Sequence, residues 1–304
     1  MVIKVNRMSN MSFSIKKFFS NEKRKKRVSR SLGGTILLAL ILLVFGAFMA
    51  LPMVYIISSA FKPLEELFLF PPKLLVQNPT LDNFKGMAEL ISNMWVSFER
   101  YLFNSTFVSV VGTGVYLIIA TMAAYPLAKH DFVGKKPLRE LITVALMFTS
   151  AVTGLIQYLL MSMVGMIDTY FAMILPSLSS TMGVFLCIQN LTTIPNSILE
   201  AGKIDGAGEF TIFYRLVLPN IRPVLFTMLI FQFQSMWNIS PSNVIYSEQL
   251  KTLPLALSQI ASAGVSRAGV GSAAALILII PPIFIFIISQ SNVMETMANS
   301  GIKE

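Results

Sequence analysis

Ile194-Pro195-Asn196-Ser197-Ile198-Leu199-Glu200-Ala201-Gly202-Lys203-Ile204-Asp205-Gly206-Ala207-Gly208-Glu209, running on to Arg215-Leu216-Val217-Leu218-Pro219, is a polar, weakly charged island between two long apolar runs. Read locally, it is two very short helices with a break between them. Pro195 can open the first, because a first-turn position needs no backbone N–H. Ser197 and Glu200 offer an alternative capping-box start. Gly206 and Gly208 interrupt the pattern where a chain turns cheaply. Phe210, Phe213 and Leu216 resume helical spacing, and Pro219 marks a further helix start. Each piece is shorter than about 12 residues, so neither is stable in water without a surface to pack on. That argues for a docking element, although an ordinary helix–loop–helix connection has the same spacing.

The flanking runs place the island in a membrane protein. Of 304 residues, 54% are hydrophobic and 13% charged, about half the charge of a soluble domain. Six uncharged stretches stand out: 31–61, 101–128, 141–167, 169–199, 223–247 and 268–294. Each exceeds the roughly 20 residues that span a bilayer. We therefore expect an all-α membrane protein with six transmembrane helices. Asp168 alone separates the third run from the fourth, so a tight hairpin is expected around Gly165-Met166-Ile167-Asp168. The parts are a basic tail over 1–30, a first span over 31–61, an outer loop over 62–100, a five-helix core over 101–294 with the island at 194–219 inside it, and a tail over 295–304.

Charge sets the orientation. The net charge of +9 is concentrated before the first span, including Lys23-Arg24-Lys25-Lys26-Arg27. A basic run abutting an apolar span anchors to anionic lipid on the cytoplasmic side, so nucleic acid is not an expected partner. A cleavable signal peptide would have an apolar core of about 7–15 residues, far shorter than this first run. Alternating the spans from a cytoplasmic N-terminus puts eighteen Lys and Arg inside and six outside, in keeping with the positive-inside rule. Both termini and the Glu200–Pro219 stretch then face the cytoplasm. In the outer loop, Leu81-Asp82-Asn83-Phe84 reads as the start of a small extracellular helix.

Glu200-Ala201-Gly202, three residues, Gly206, nine residues, then Leu216-Val217-Leu218-Pro219 resembles the EAA motif of membrane-spanning permease subunits in binding-protein-dependent ABC importers. The following Ile204-Asp205-Gly206-Ala207 and Arg215–Pro219 are similar to the sugar-importing, maltose-type branch. Gly202 stands where Ala is usual and Leu216 where Ile is usual. Glycine lowers helix propensity by about 1 kcal/mol, so the first short helix is expected to fray more than in relatives. The resemblance extends from about Tyr101 to the C-terminus. It implies a multi-pass cell-membrane protein that pairs with a second permease as a heterodimer, over two copies of an ABC ATPase. An extracellular solute-binding protein would deliver a sugar or oligosaccharide. It also implies that Glu200, Ala201, Gly202, Asp205, Gly206 and Ala207 couple to the ATPase, with Glu200 as ionic anchor and Gly206 as the turn. The outer loop would contribute to the face that receives the binding protein.

Within the core, Gly112 and Gly114 permit close helix approach, which is what drives association in lipid. Tyr125 sits where an interfacial aromatic belongs and Lys129 beyond it faces the cytoplasm. His130 reads as a solvated turn residue. Gln234 and Asn238 are four apart, hence on one helix face, with Trp237 adjacent. Amides and an aromatic ring are what a sugar site needs, namely directional hydrogen bonds and a stacking surface. Helix–helix hydrogen bonding would use the same residues. Gln157 and Tyr158 in the third run are further substrate-pathway candidates. Pro281-Pro282 should kink the last span, because neither can continue the hydrogen-bond ladder.

The sequence holds no G-x-x-x-x-G-K-[ST] loop for ATP, no catalytic Ser or Cys constellation around its one histidine, and one cysteine, Cys187. No catalytic residues, cofactor or metal site are expected. A self-contained secondary transporter would carry charged groups within its spans, and here Asp168 and Glu140 sit only at span ends. An intramembrane enzyme or a scaffold has no motif in its favour.

Overall fold

The computed structural model describes residues 32–300 apart from 149, 263, 265 and 266. The basic tail over 1–30 lies outside the described residues, as do positions 301–304. Every regular element among the described residues is helical. The chain divides into two units, residues 1–53 and 54–304. In the first, the described residues are helical, forming the N-terminal part of α1, Leu32–Ala60.

The second unit is built on α4, Phe98–Lys129. At 32 residues it is roughly 48 Å long, enough to reach from one membrane face to the other. Against it pack α7, Tyr170–Ser177, α8, Thr181–Thr192, and α12, Arg222–Trp237. The last helix, α14, Ala268–Ser300, packs on α12 and on the short α13, Leu253–Ala261. Gly112 lets α12 close on α4: an added Cβ there would stand 2.9 Å from Met236 Cε. Gly114 faces open space, so of the two glycines only Gly112 makes the approach.

The segment over 62–100 begins with α2, Leu64–Leu67, and carries the expected small helix as α3, Asp82–Ser92. Asn83 donates to the carbonyls of Ala60 (3.0 Å) and Lys62 (2.7 Å), so the loop is tied to the end of α1 within this unit. Met87 and Ile91 on α3 join Tyr101, Trp237, Leu253 and Leu257 in one buried cluster.

One expectation about the spans changes. The third uncharged run is two helices, α5, Lys135–Ala145, and α6, Ser150–Met163. Neither reaches the roughly 20 residues a crossing needs. Counting uncharged residues measures apolarity and is blind to helix breaks, and α5 begins well outside the run, after Gly134 at φ +96°. Among the described residues, Gly33–Ala60, Phe98–Lys129, Tyr170–Thr192 and Ala268–Ser291 are long and apolar enough to cross a bilayer. The pair Glu209–Asn220 and Arg222–Trp237, bent by 78°, makes a fifth only if it is counted as one broken span. At Pro281-Pro282, α14 runs through both prolines as one helix. The expected tight connection after the third run is present: Gly165 at φ +70° and Asp168 at φ +60° join α6 to α7.

Candidate functional site

The 194–219 stretch folds as a helical loop at one end of α4. Pro195 precedes α9, Asn196–Ile204. The helix stops in a Schellman arrangement: Ala207 N–H donates to Gly202 O and Gly206 N–H to Lys203 O, both at 3.0 Å. Gly206 takes the left-handed conformation that this cap requires, φ +79°. A Cβ there would meet nothing, so conformation and not space selects the glycine. A short helix α10, Glu209–Ile212, follows, then a π-helical turn, Phe213–Val217, and a last turn α11, Leu218–Asn220. The widened turn lies just ahead of Pro219, which cannot donate to the carbonyl one turn earlier and displaces it.

The loop has two distinct faces. Leu199, Gly202, Ile212 and Val217 are buried and, apart from the glycine, join the Leu191–Ile221–Met228 core. Gly202 is small for a reason: an added Cβ would stand 2.8 Å from Leu216 Cδ1 and 3.4 Å from Ile212 Cγ1. Packing therefore holds the helix that glycine's propensity would loosen. Ala207 is half-buried against the same core. Glu200, Ala201, Asp205 and Gly206 face outward. So do three large apolar side chains, Ile204 (86% exposed), Phe210 (80%) and Tyr214 (72%). Among the described residues, neither Glu200 nor Asp205 has a side-chain hydrogen bond or ion pair.

The end of α4 clamps the loop. Lys129 Nζ donates to Ile194 O (2.5 Å) and to Asn196 Oδ1 (3.0 Å), spanning the junction between α8 and α9. Glu209 gathers three partners: Lys203 Nζ at 2.7 Å, His130 Nε2 at 3.3 Å and the Tyr125 hydroxyl at 3.1 Å. The hydrogen bond from Lys203, with those from Tyr125 and His130, holds the Glu209 carboxyl below its ordinary pKa. His130 also sets its ring edge-on to Tyr125 at 5.0 Å. The histidine read from sequence as a solvated turn residue is thus part of the clamp. Its pairing with Glu209, 79 positions away, has no local sequence signal.

Further along the bundle, α7 and α8 are separated at residues 178–180. Carbonyls on either side of this interruption also accept side-chain hydrogen bonds from two neighbours. Gln232 Nε2 on α12 donates to Ser177 O (3.2 Å), and the Tyr116 hydroxyl on α4 donates to Ser180 O (2.9 Å). Irregular backbone at membrane depth requires such partners. Gly183 admits the tyrosine, since a Cβ there would overlap the Tyr116 hydroxyl. Beside the break lies a cavity of about 540 Å³, lined by Gln157, Ser179, Ser180, Thr181, Gln232 and Ser235 among others.

Of the substrate-pathway candidates, the structure brings only Gln157 to this cavity. Gln234 and Asn238 are exposed on α12 and at its end. Tyr158 packs with Met161, Met173 and Met236. Trp237, expected beside the two amides as a stacking surface, is 2% exposed and lies within the bundle. Its indole N–H donates to Leu278 O (2.9 Å), and its ring stacks on Phe233 at 6.1 Å. The cavity hydroxyls had a signal in the sequence that a reading for amides and rings passes over: Ser177, Ser179, Ser180 and Thr181 interrupt an apolar run directly after Pro176.

Residues 116–297 match the profile of the family described as binding-protein-dependent transport system inner membrane component. A similar relative is the arabinooligosaccharides transport system permease protein AraQ of Halalkalibacterium halodurans. It is 30% identical over 268 residues, covering 85% of this chain and 93% of the relative. The polygalacturonan/rhamnogalacturonan transport system permease protein YtcP of Bacillus subtilis is 28% identical over 70% of this chain and 72% of its own length. Among solved structures, a chain of a bacterial ABC transporter involved in the import of the acidic polysaccharide alginate superposes with a TM-score of 0.71. That match has 21% identity and covers 84% of this chain and 95% of the other, so it speaks to fold alone. With the family profile spanning more than half of the sequence and the helical fold agreeing, the chain belongs to the inner-membrane components of binding-protein-dependent transport systems.

Proposed function

We propose that this chain is one of two different permease subunits of an ATP-driven importer, forming with its partner the path for a sugar or oligosaccharide. A solute-binding protein delivers the sugar at the outer face. Two copies of an ATPase sit against the 194–219 loops of the permease pair. The observation that carries this reading is the division of the loop into a buried face and an unpartnered outer one. Ile204, Phe210 and Tyr214 are exposed in the same loop as the unpaired carboxylates of Glu200 and Asp205, the composition of a surface awaiting a protein partner. The clamp of Lys129 and Glu209 makes loop and α4 one mechanical piece, so closure of an ATPase dimer would be passed to the spans. The sugar-transport relatives named above support the substrate class.

The test is uptake into vesicles holding the transporter purified from its own membrane, with the ATPase side and ATP enclosed in the lumen and binding protein and sugar in the bath. Sugar should cross only when ATP and binding protein are both supplied. Transport that persists without ATP would favour a self-contained carrier and overturn the proposal.

A further inference from the structure

We infer that the cavity at the α7–α8 break holds a neutral glycosyl unit of the transported sugar, and that this chain's side of the path is built against uronate-bearing substrates. This rests on the importer reading and goes beyond it by naming substrate chemistry. Fold alone leaves the chemistry open, since a structural neighbour serves an acidic polysaccharide.

The lining decides it. Gln157, Thr181 and Ser235, with amide and hydroxyl side chains, line the cavity, and Gln232, with its Nε2 donating to Ser177 O at 3.2 Å, keeps its carbonyl oxygen as an acceptor. Hydroxyls and amides donate and accept alike, matching sugar hydroxyls, which do both. Among the described residues lining the cavity there is no Lys, Arg, Asp or Glu. The same holds along the sequence: residues 101–128, 141–167, 169–199, 223–247 and 268–294 contain no charged side chain. A carboxylate leaving water is costly unless a countercharge pairs with it, and this chain supplies no cation at that depth. A neutral sugar ring loses only hydroxyl hydration, which the lining replaces.

The single cysteine makes a direct test available. Cys187 is fully buried, so Gln157→Cys places one reactive thiol in the cavity, and Ser235→Cys gives a second position should the first variant fold poorly. The probes are a positively charged methanethiosulfonate reagent and two sugar sets of equal length: arabinotriose, xylotriose and maltotriose against trigalacturonate and trimannuronate. The measurement is made on the purified complex, with ATP-driven uptake of both sets followed in vesicles of the same preparation. The expected result is that at least one neutral trisaccharide slows labelling and neither uronate does. At ten times the half-saturating concentration the slowing should be about tenfold. Equal or stronger protection by a uronate overturns the substrate class. Absence of protection by either set, in vesicles that still accumulate sugar, overturns the cavity as a sugar site and leaves the importer reading standing. Absence of ATP-driven uptake of any sugar by the wild-type complex in the same vesicles removes both.

Discussion

At the scale of single residues, Trp237 and Pro282 explain each other. In a continuous helix the amide of residue 282 would donate to Leu278 O, and proline has no hydrogen to give. Trp237 Nε1 donates to that carbonyl instead, at 2.9 Å. The indole thus pairs the carbonyl that Pro282 leaves open inside α14, which runs through both prolines. This pairing explains why a tryptophan near the exposed amides Gln234 and Asn238 is not available for stacking on a sugar. Trp237→Phe should leave a buried acceptor unpaired and destabilise the protein by about 1–3 kcal/mol. In a Pro282→Ala background the helix can satisfy Leu278 itself, so the same substitution should cost much less. Thermal unfolding of the four proteins in detergent measures this coupling. Equal penalties in both backgrounds would show that the indole acts by packing alone. Sequence could suggest each residue's importance, but not the pairing across 45 positions.

At the scale of elements, the connections between helices carry the specific chemistry. Asp168, in the turn between α6 and α7, accepts from the backbone N–H groups of Tyr246 (3.0 Å) and Ser247 (2.9 Å), and the Ser247 hydroxyl donates to its other oxygen. The Ser247 hydroxyl, then the Ser247 and Tyr246 amides, hold its carboxyl below the ordinary carboxylate pKa. Because the folded value is depressed, the stability it contributes is present above the unfolded value, about 3.9. That contribution is lost as pH falls through the folded one. The gap in thermal stability between wild type and Asp168→Asn should therefore be widest near neutral pH and close as the solution becomes acid. A gap unchanged down to strongly acid pH would mean that Asp168 acts by shape alone. The tight turn around Asp168 was legible because one charge between two apolar runs allows little else. Its clasp on residues 246 and 247 was not, since it joins loops distant in sequence. The same division holds for the 194–219 loop: its helices, break and glycine cap were readable from local chemistry, whereas the Glu209–His130–Tyr125 clamp depends on tertiary placement.

At the scale of the whole molecule, composition was enough to read the membrane class, and charge distribution proposes which side each segment faces. The number of straight crossings was less accessible: α5 and α6 divide one uncharged run, and a 78° bend divides the segment entering α12. The positive-inside assignment makes a separable prediction. A thiol introduced at Asn78 in the outer loop should react with a membrane-impermeant reagent added to intact cells, and one introduced at Gly208 should react only after the membrane is opened. The reverse pattern would turn the loop away from any cytosolic ATPase. The account as a whole rests on the outer face of that loop. Its most direct test is affinity capture of the tagged chain from its native membrane, comparing wild type with Glu200→Arg combined with Ile204→Asp. Both positions are exposed and outside the buried face, so the variant should assemble in the membrane with its partner permease. The account predicts that an ATPase is captured with wild type and lost from the variant, while the second permease remains with both. An ATPase retained at full level by the variant, or absent from wild type, would contradict it.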